Sequence, residues 1–122
     1  MKNFVDLANR LFEAREQSHV YHLQTKSQAE HLAFEEFYDE LLEHLDLLIE
    51  VYQGQFGIID NYETIKPKKY MPNHVEYFED LAKFLKENIS DYISENDPHL
   101  LAIIDDILIL TYKTIYKLKY LK

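Results

Sequence analysis

The sequence predicts an all-α protein, an antiparallel four-helix bundle with a long crossover between its second and third helices. Three observations carry that expectation. Glycine occurs twice and proline three times in 122 residues, whereas a β-sandwich or barrel would need a turn signal about every ten residues. Apolar side chains recur at intervals of three and four, the period of a helix with one buried face. Helix-start patterns head three of these segments: Ser27 with Glu30, Asn73 with Glu76, and Asp97-Pro98. With 47% hydrophobic residues, residues 1–122 suffice for one domain around a single core.

The first helix is expected from Asn3 to about Gln24, with Phe4, Leu7, Leu11, Ala14, Ser18 and Tyr21 on one stripe. Ser27 opens the second helix. Ser27-Gln28-Ala29-Glu30 has the form in which the serine side chain accepts from the backbone N–H three residues on and the glutamate reaches back. This helix should run to about Gln53 and stop at Gly54, because glycine supplies the left-handed residue that commonly ends helices. Its core stripe is Phe34, Phe37, Leu41, Leu45, Leu48 and Tyr52. From Gly57 to Pro72 the periodicity fails and Lys66-Pro67-Lys68-Lys69 intervenes, which marks the long connection between two helical hairpins. A third helix starts at Asn73, buries Tyr77, Leu81, Phe84, Leu85 and Ile89, and fades near Ser94. Asp97 then reads as an N-cap with proline at the first helical position. The fourth helix carries Leu101, Ile104, Ile107, Leu108, Thr111 and Ile115 inward. Short turn, long crossover, short turn is the connectivity of a ferritin-like bundle.

The formal net charge is −9 and the pI about 5.0. A field of that sign repels nucleic-acid phosphates and attracts metal cations, although the same acidity also serves solubility in many domains. Without cysteine there is neither a disulfide framework nor a thiolate metal site. No apolar run approaches the 20 or so residues that span a bilayer, and Met1-Lys2-Asn3-Phe4-Val5-Asp6 lacks an apolar signal segment. A cytoplasmic location is therefore expected. The basic residues Lys113, Lys117, Lys119 and Lys122 gather at the C-terminus, where the dipole of a last helix favours cations.

A second, mixed face runs along the first two helices. His31, Glu35, Leu42, Asp46, Ile49 and Glu50 cluster about 120° from the core stripe of the second helix when about 100° is allowed per residue. His19 falls with Val5, Ala8, Phe12 and Leu23, about 100° from the core line of the first helix. Potential ligands beside apolar residues point to burial against another chain. Imidazole and carboxylate together suit Fe(II), Zn(II) or Mn(II), and two carboxylates lower the cost of dehydrating a divalent cation.

The stretch from Ser18-His19-Val20-Tyr21-His22 to Glu43-His44-Leu45-Asp46-Leu47-Leu48-Ile49-Glu50 resembles the Dps family of miniferritins. The pattern His-x11-His-x14-Asp-x3-Glu is matched at every position by His19, His31, Asp46 and Glu50. What the resemblance implies is a ferroxidase site in which two histidines of one subunit meet the aspartate and glutamate of its two-fold mate, with Glu35 as a weaker candidate ligand for a second metal. It further implies oxidation of Fe(II), preferably by hydrogen peroxide, and ferric storage in a homo-oligomeric shell, dodecameric in the family. Iron is the metal so implied, with zinc or manganese as possible substitutes. The resemblance covers the first two helices. Family members usually carry tryptophan where this chain has Val20, a short helix in the central connection, and in some cases a basic N-terminal tail that binds DNA. Only Lys2 stands ahead of the first helix here, so DNA binding is not expected.

A different class stays open: a non-catalytic ferritin-like helical module that uses the same mixed face for oligomerisation. Glu16-Gln17-Ser18-His19 satisfies the Glu-x-x-His signature of an intrasubunit di-iron bundle, but the fourth helix offers Asp105 and Asp106 without a matching histidine. His22, His44, His74 and His99 read as surface or interface residues. Glu36, Asp39, Glu40 and Glu43 read as a solvated face that could attract iron. Tyr112, Tyr116 and Tyr120, four apart beside lysines, could stack on bases or trap a radical, though packing or an interface is the simpler reading.

Overall fold

The structure, a computed structural model, describes residues 1–63 and 73–121, and the Lys66–Lys69 break falls outside them. The described residues form four α-helices and no strand: α1 (Phe4–Gln24), α2 (Gln28–Phe56), α3 (His74–Glu87) and α4 (Pro98–Tyr120), with a single 3₁₀ turn, Ile89–Asp91, after α3. Helix α2 packs against α1 on one side and α4 on the other, and α3 packs against α4. Pairings fix the directions. Glu36 near the start of α2 meets Lys113 and Lys117 near the end of α4, while Gln55 at the end of α2 meets Asp97 and His99 at the start of α4. The two helices are thus antiparallel, as α1 and α2 are around their three-residue turn, Thr25–Ser27.

The helix starts follow the side-chain chemistry. Ser27 Oγ accepts from Glu30 N at 3.2 Å, but Glu30 does not reach back to the Ser27 amide. Thr25 stands between them: its hydroxyl donates to Glu30 Oε1 at 2.6 Å and accepts from Ser27 N at 3.1 Å. Asn73 caps α3 by accepting from Glu76 N at 3.0 Å. Asp97 precedes Pro98 as expected, yet its side chain does not cap the helix; its carboxylate accepts from Gln55 Nε2 at 2.8 Å instead. The end of α2 also differs from expectation. Gly54 is helical, and the chain leaves the helix at Gly57, whose φ of 108° is left-handed backbone that side chains rarely adopt.

The stripes on α1 and α2 are inside as expected. Phe4, Leu7, Leu11, Ala14, Ser18 and Tyr21 are buried, as are Phe34, Phe37, Leu41, Leu45 and Leu48, while Tyr52 is half-buried and stacks on Phe4 with ring centroids 3.7 Å apart. Helix α3 turns slightly further: Phe78 and Ala82 join Tyr77, Leu81 and Leu85 in the core, and Phe84 and Ile89 sit at its rim. On α4 the buried set is Leu100, Ile103, Ile104, Ile107, Leu110, Thr111, Thr114, Ile115 and Leu118, with Leu101 and Leu108 only half-buried. Apolar residues surround α4 on most sides between Leu100 and Leu110, so the period alone leaves its inward face loosely defined.

Truncating this shared core should be costly. Leu45→Ala, at a fully buried position, is expected to destabilise the fold by about 2–5 kcal/mol in urea denaturation. Leu47→Ala, two residues away and 48% exposed, should stay within about 0.5–1 kcal/mol.

Candidate functional site

The structure divides the mixed face: Val5, Ala8 and Ile49 are buried in the chain's own core, so they are not left to pack on another chain as expected, while the histidines meet at the closed end of the α1–α2 hairpin. His19 lies on Tyr38 with ring centroids 4.7 Å apart, and His22 sits one turn further along α1, 6.0 Å from His19 and 5.4 Å from Tyr38. His22 and His31 stack across the hairpin at 3.7 Å. Each donates its Nδ1–H to the other's backbone carbonyl, at 2.9 Å for His22 and 2.8 Å for His31. A carbonyl can only accept, so both rings carry their proton on Nδ1, and in the neutral form each Nε2 keeps its lone pair.

This clasp was not legible from spacing. His22 reads as a surface residue in the sequence, yet it is 7% exposed. The signal available was the short three-residue turn itself, Thr25–Ser27, which sets positions about one helical turn into each helix against one another.

Asp46 and Glu50 lie elsewhere. Both are exposed on α2, and Asp46 is 15 residues beyond His31, about 22 Å along a helix that rises roughly 1.5 Å per residue. One copy therefore cannot close His19, His31, Asp46 and Glu50 around one ion. Among the described residues no group of three or more histidine, aspartate and glutamate side chains is placed to hold a metal. Glu35 is half-buried beside Tyr38, where its charge and that of Asp39 add to burial in raising the Tyr38 phenol above its usual range.

The acidic residues further along α2 do not act as a uniform face. Glu36 pairs with Lys117 and Lys113 of α4, and the Lys117 hydrogen bond holds its carboxyl below the usual range. Two of the four C-terminal lysines thus serve the α2–α4 contact. His74, another residue read as superficial, is 7% exposed, packed by Tyr21 at 4.4 Å and Phe34 at 5.1 Å. Its Nδ1 is 3.8 Å from Glu30 Oε1. Burial lowers its pKa, and Glu30 opposes that shift without overcoming it. A cavity of about 720 Å³ beside the hairpin turn is lined by His74, Glu30, Ser27 and Gln24.

Fold and site together define, among the described residues, an all-helical bundle with a histidine-clasped hairpin. The chain belongs to a family described as "Family of unknown function (DUF5856)", whose pattern matches residues 22–118. His22, His31, Asp46 and Glu50 lie within the matched span, and His19 precedes it. No curated protein and no solved structure matches the chain.

The buried His74 sets a pH dependence. In the unfolded chain a histidine titrates near about pH 6.5, and in the fold the value is lower. Above the unfolded value both states are neutral. Below it the unfolded chain takes up the proton first, so stability falls until the pH drops under the lowered folded value. Urea denaturation at about pH 7.5 and 5.5 should show a larger acid loss for the unmodified protein than for His74→Phe, which keeps the ring contacts and removes the titration.

Proposed function

We propose that this protein is a ferritin-like, Dps-like ferroxidase, binding Fe(II) as substrate between two copies and oxidising it with hydrogen peroxide. His19 and His31 of one copy supply neutral imidazole ligands. Asp46 and Glu50 of the second supply the negative charge that dehydrates the ion and favours its ferric state. Two ferrous ions each give up one electron; peroxide takes up both electrons and two protons and leaves as two waters. Glu35 stands one turn from His31 as a further oxygen donor. Zinc or manganese would suit the same donors, and the ferric product would be stored in a shell built from this two-fold unit.

The observation that carries this reading is the His31 hydrogen bond. With Nδ1–H held by the His22 carbonyl at 2.8 Å, the ring is oriented and Nε2 is left as the ligand atom, the arrangement common around metal-binding histidines. The separation of the histidines from Asp46 and Glu50 along α2 agrees with a site that needs a second copy. The ferritin-like crossover has support from the helix ends: α2 finishes beside Asp97, and α3 begins beside Glu30 at the start of α2. Ile59 N and Tyr62 Oη donate to Gln53 Oε1, and Tyr62 reaches Phe12 of α1 at 6.0 Å, so the connection sets out back along the bundle. No helix among the described residues is long and apolar enough to cross a membrane, which accords with a cytoplasmic protein.

A second reading, a non-catalytic oligomerisation module, draws on the same face. Leu23 and Leu32 beside the histidines are 70% and 51% exposed, as an apolar contact with a second copy would require.

The rate of Fe(II) oxidation by peroxide separates the two. The unmodified protein should outpace protein-free buffer, and His31→Ala and Asp46→Ala should each lose more than about tenfold. Protein rates equal to buffer would contradict the ferroxidase and leave the module.

A further inference from the structure

The C-terminal helix carries an exposed stripe that the bundle does not use. Ile109, Tyr112, Tyr116 and Tyr120 are 58%, 48%, 55% and 66% exposed. Spaced by three and four residues, they form one line about 17 Å long on the outward side of α4. The opposite side of the same helix is the one that buries Ile107, Thr111 and Leu118. Three tyrosines held open along one line are unusual for a solvated surface and characteristic of interface cores, where a large amphipathic ring is ordered at low entropic cost.

Charge along α4 identifies what fits there. Its first half carries Asp105 and Asp106, and its second half Lys113 and Lys119. We infer that a second copy of this chain docks on this stripe, α4 against α4 in antiparallel register about a two-fold axis between Ile109 and Tyr112. In that register Asp105 of one copy stands opposite Tyr116 of the other, one turn from both Lys113 and Lys119. The acidic half of each helix then meets the basic half of its mate. A parallel register would set like charge against like. A nucleic acid is a poorer occupant, since the stripe begins at two aspartates on a chain of net charge −9.

This contact stands independently of the ferroxidase reading, because α4 carries none of His19, His31, Asp46 or Glu50. Combined with the α1–α2 face it gives each subunit two interfaces, the minimum for an assembly larger than a dimer.

Sedimentation of the 122-residue chain tests the inference. Tyr112→Ser with Tyr116→Ser should weaken self-association more than about tenfold with the helical signal in circular dichroism unchanged. Asp105→Lys alone should weaken it, and adding Lys119→Glu, which leaves the Lys113–Glu36 pair within the bundle intact, should restore it, which keeps the test decisive should the serine variant unfold. Because the chain has no cysteine, Tyr112→Cys should yield a disulfide-linked dimer on mild oxidation. Association that none of these changes alters, failure of Tyr112→Cys to cross-link, or oligonucleotide binding that the tyrosines govern without self-association would each overturn the inference.

Discussion

The buried stripe of α2 is the constraint on which the rest of the molecule depends. Phe34, Phe37, Leu41, Leu45 and Leu48 are fully inaccessible to solvent, and they serve two neighbours at once, α1 and α4. Commitment of that face to the core sends everything a half-turn away outward. Asp46 and Glu50 are exposed for that reason, and Glu35 sits at the edge. A helix of 29 residues can present ligands on its outer face, but it cannot bend to bring its two ends together. Any site using both ends of α2 must be completed from outside the chain.

The hairpin turn makes the second contribution. Thr25, Ser27 and Glu30 satisfy one another's polar groups at the start of α2, while His22 and His31 exchange hydrogen bonds just inside. Each such bond contributes about 0.5–1.5 kcal/mol, and their larger effect is orientation. Two imidazoles stacked and tied by Nδ1 have no freedom to turn. The turn thereby fixes the orientation of both rings, and Tyr38 packs the third, His19, by stacking.

Much of the fold was legible because the strongest signals are local. A serine three residues ahead of a glutamate, an Asp-Pro step and a 3.6-residue apolar period each have a direct physical cause, and α1 and α2 follow them closely. The misplacements occur where local signals tie or tertiary contacts win. Gly54 offered a stop, but helix capping falls at Gly57, whose backbone takes positive φ. Asp97 could cap α4, but the Gln55 amide takes its carboxylate. Helix α4 is apolar on too many sides for the period to choose among them. At the site, the outward position of Asp46 and Glu50 was readable from the helical wheel, whereas burial of His22 and His74 was not. Their burial arises from pairing across the hairpin turn and from packing at the bundle end, and neither leaves a periodic trace.

The most direct test of a site shared between two copies is complementation. His31→Ala and Asp46→Ala proteins, each inactive alone, would be unfolded together, refolded together and assayed for peroxide-dependent Fe(II) oxidation. A mixed two-fold pair holds one site with all four ligands and one lacking two, so random pairing should restore about a quarter of the unmodified rate. A mixture no more active than either variant alone would contradict a site assembled from two subunits.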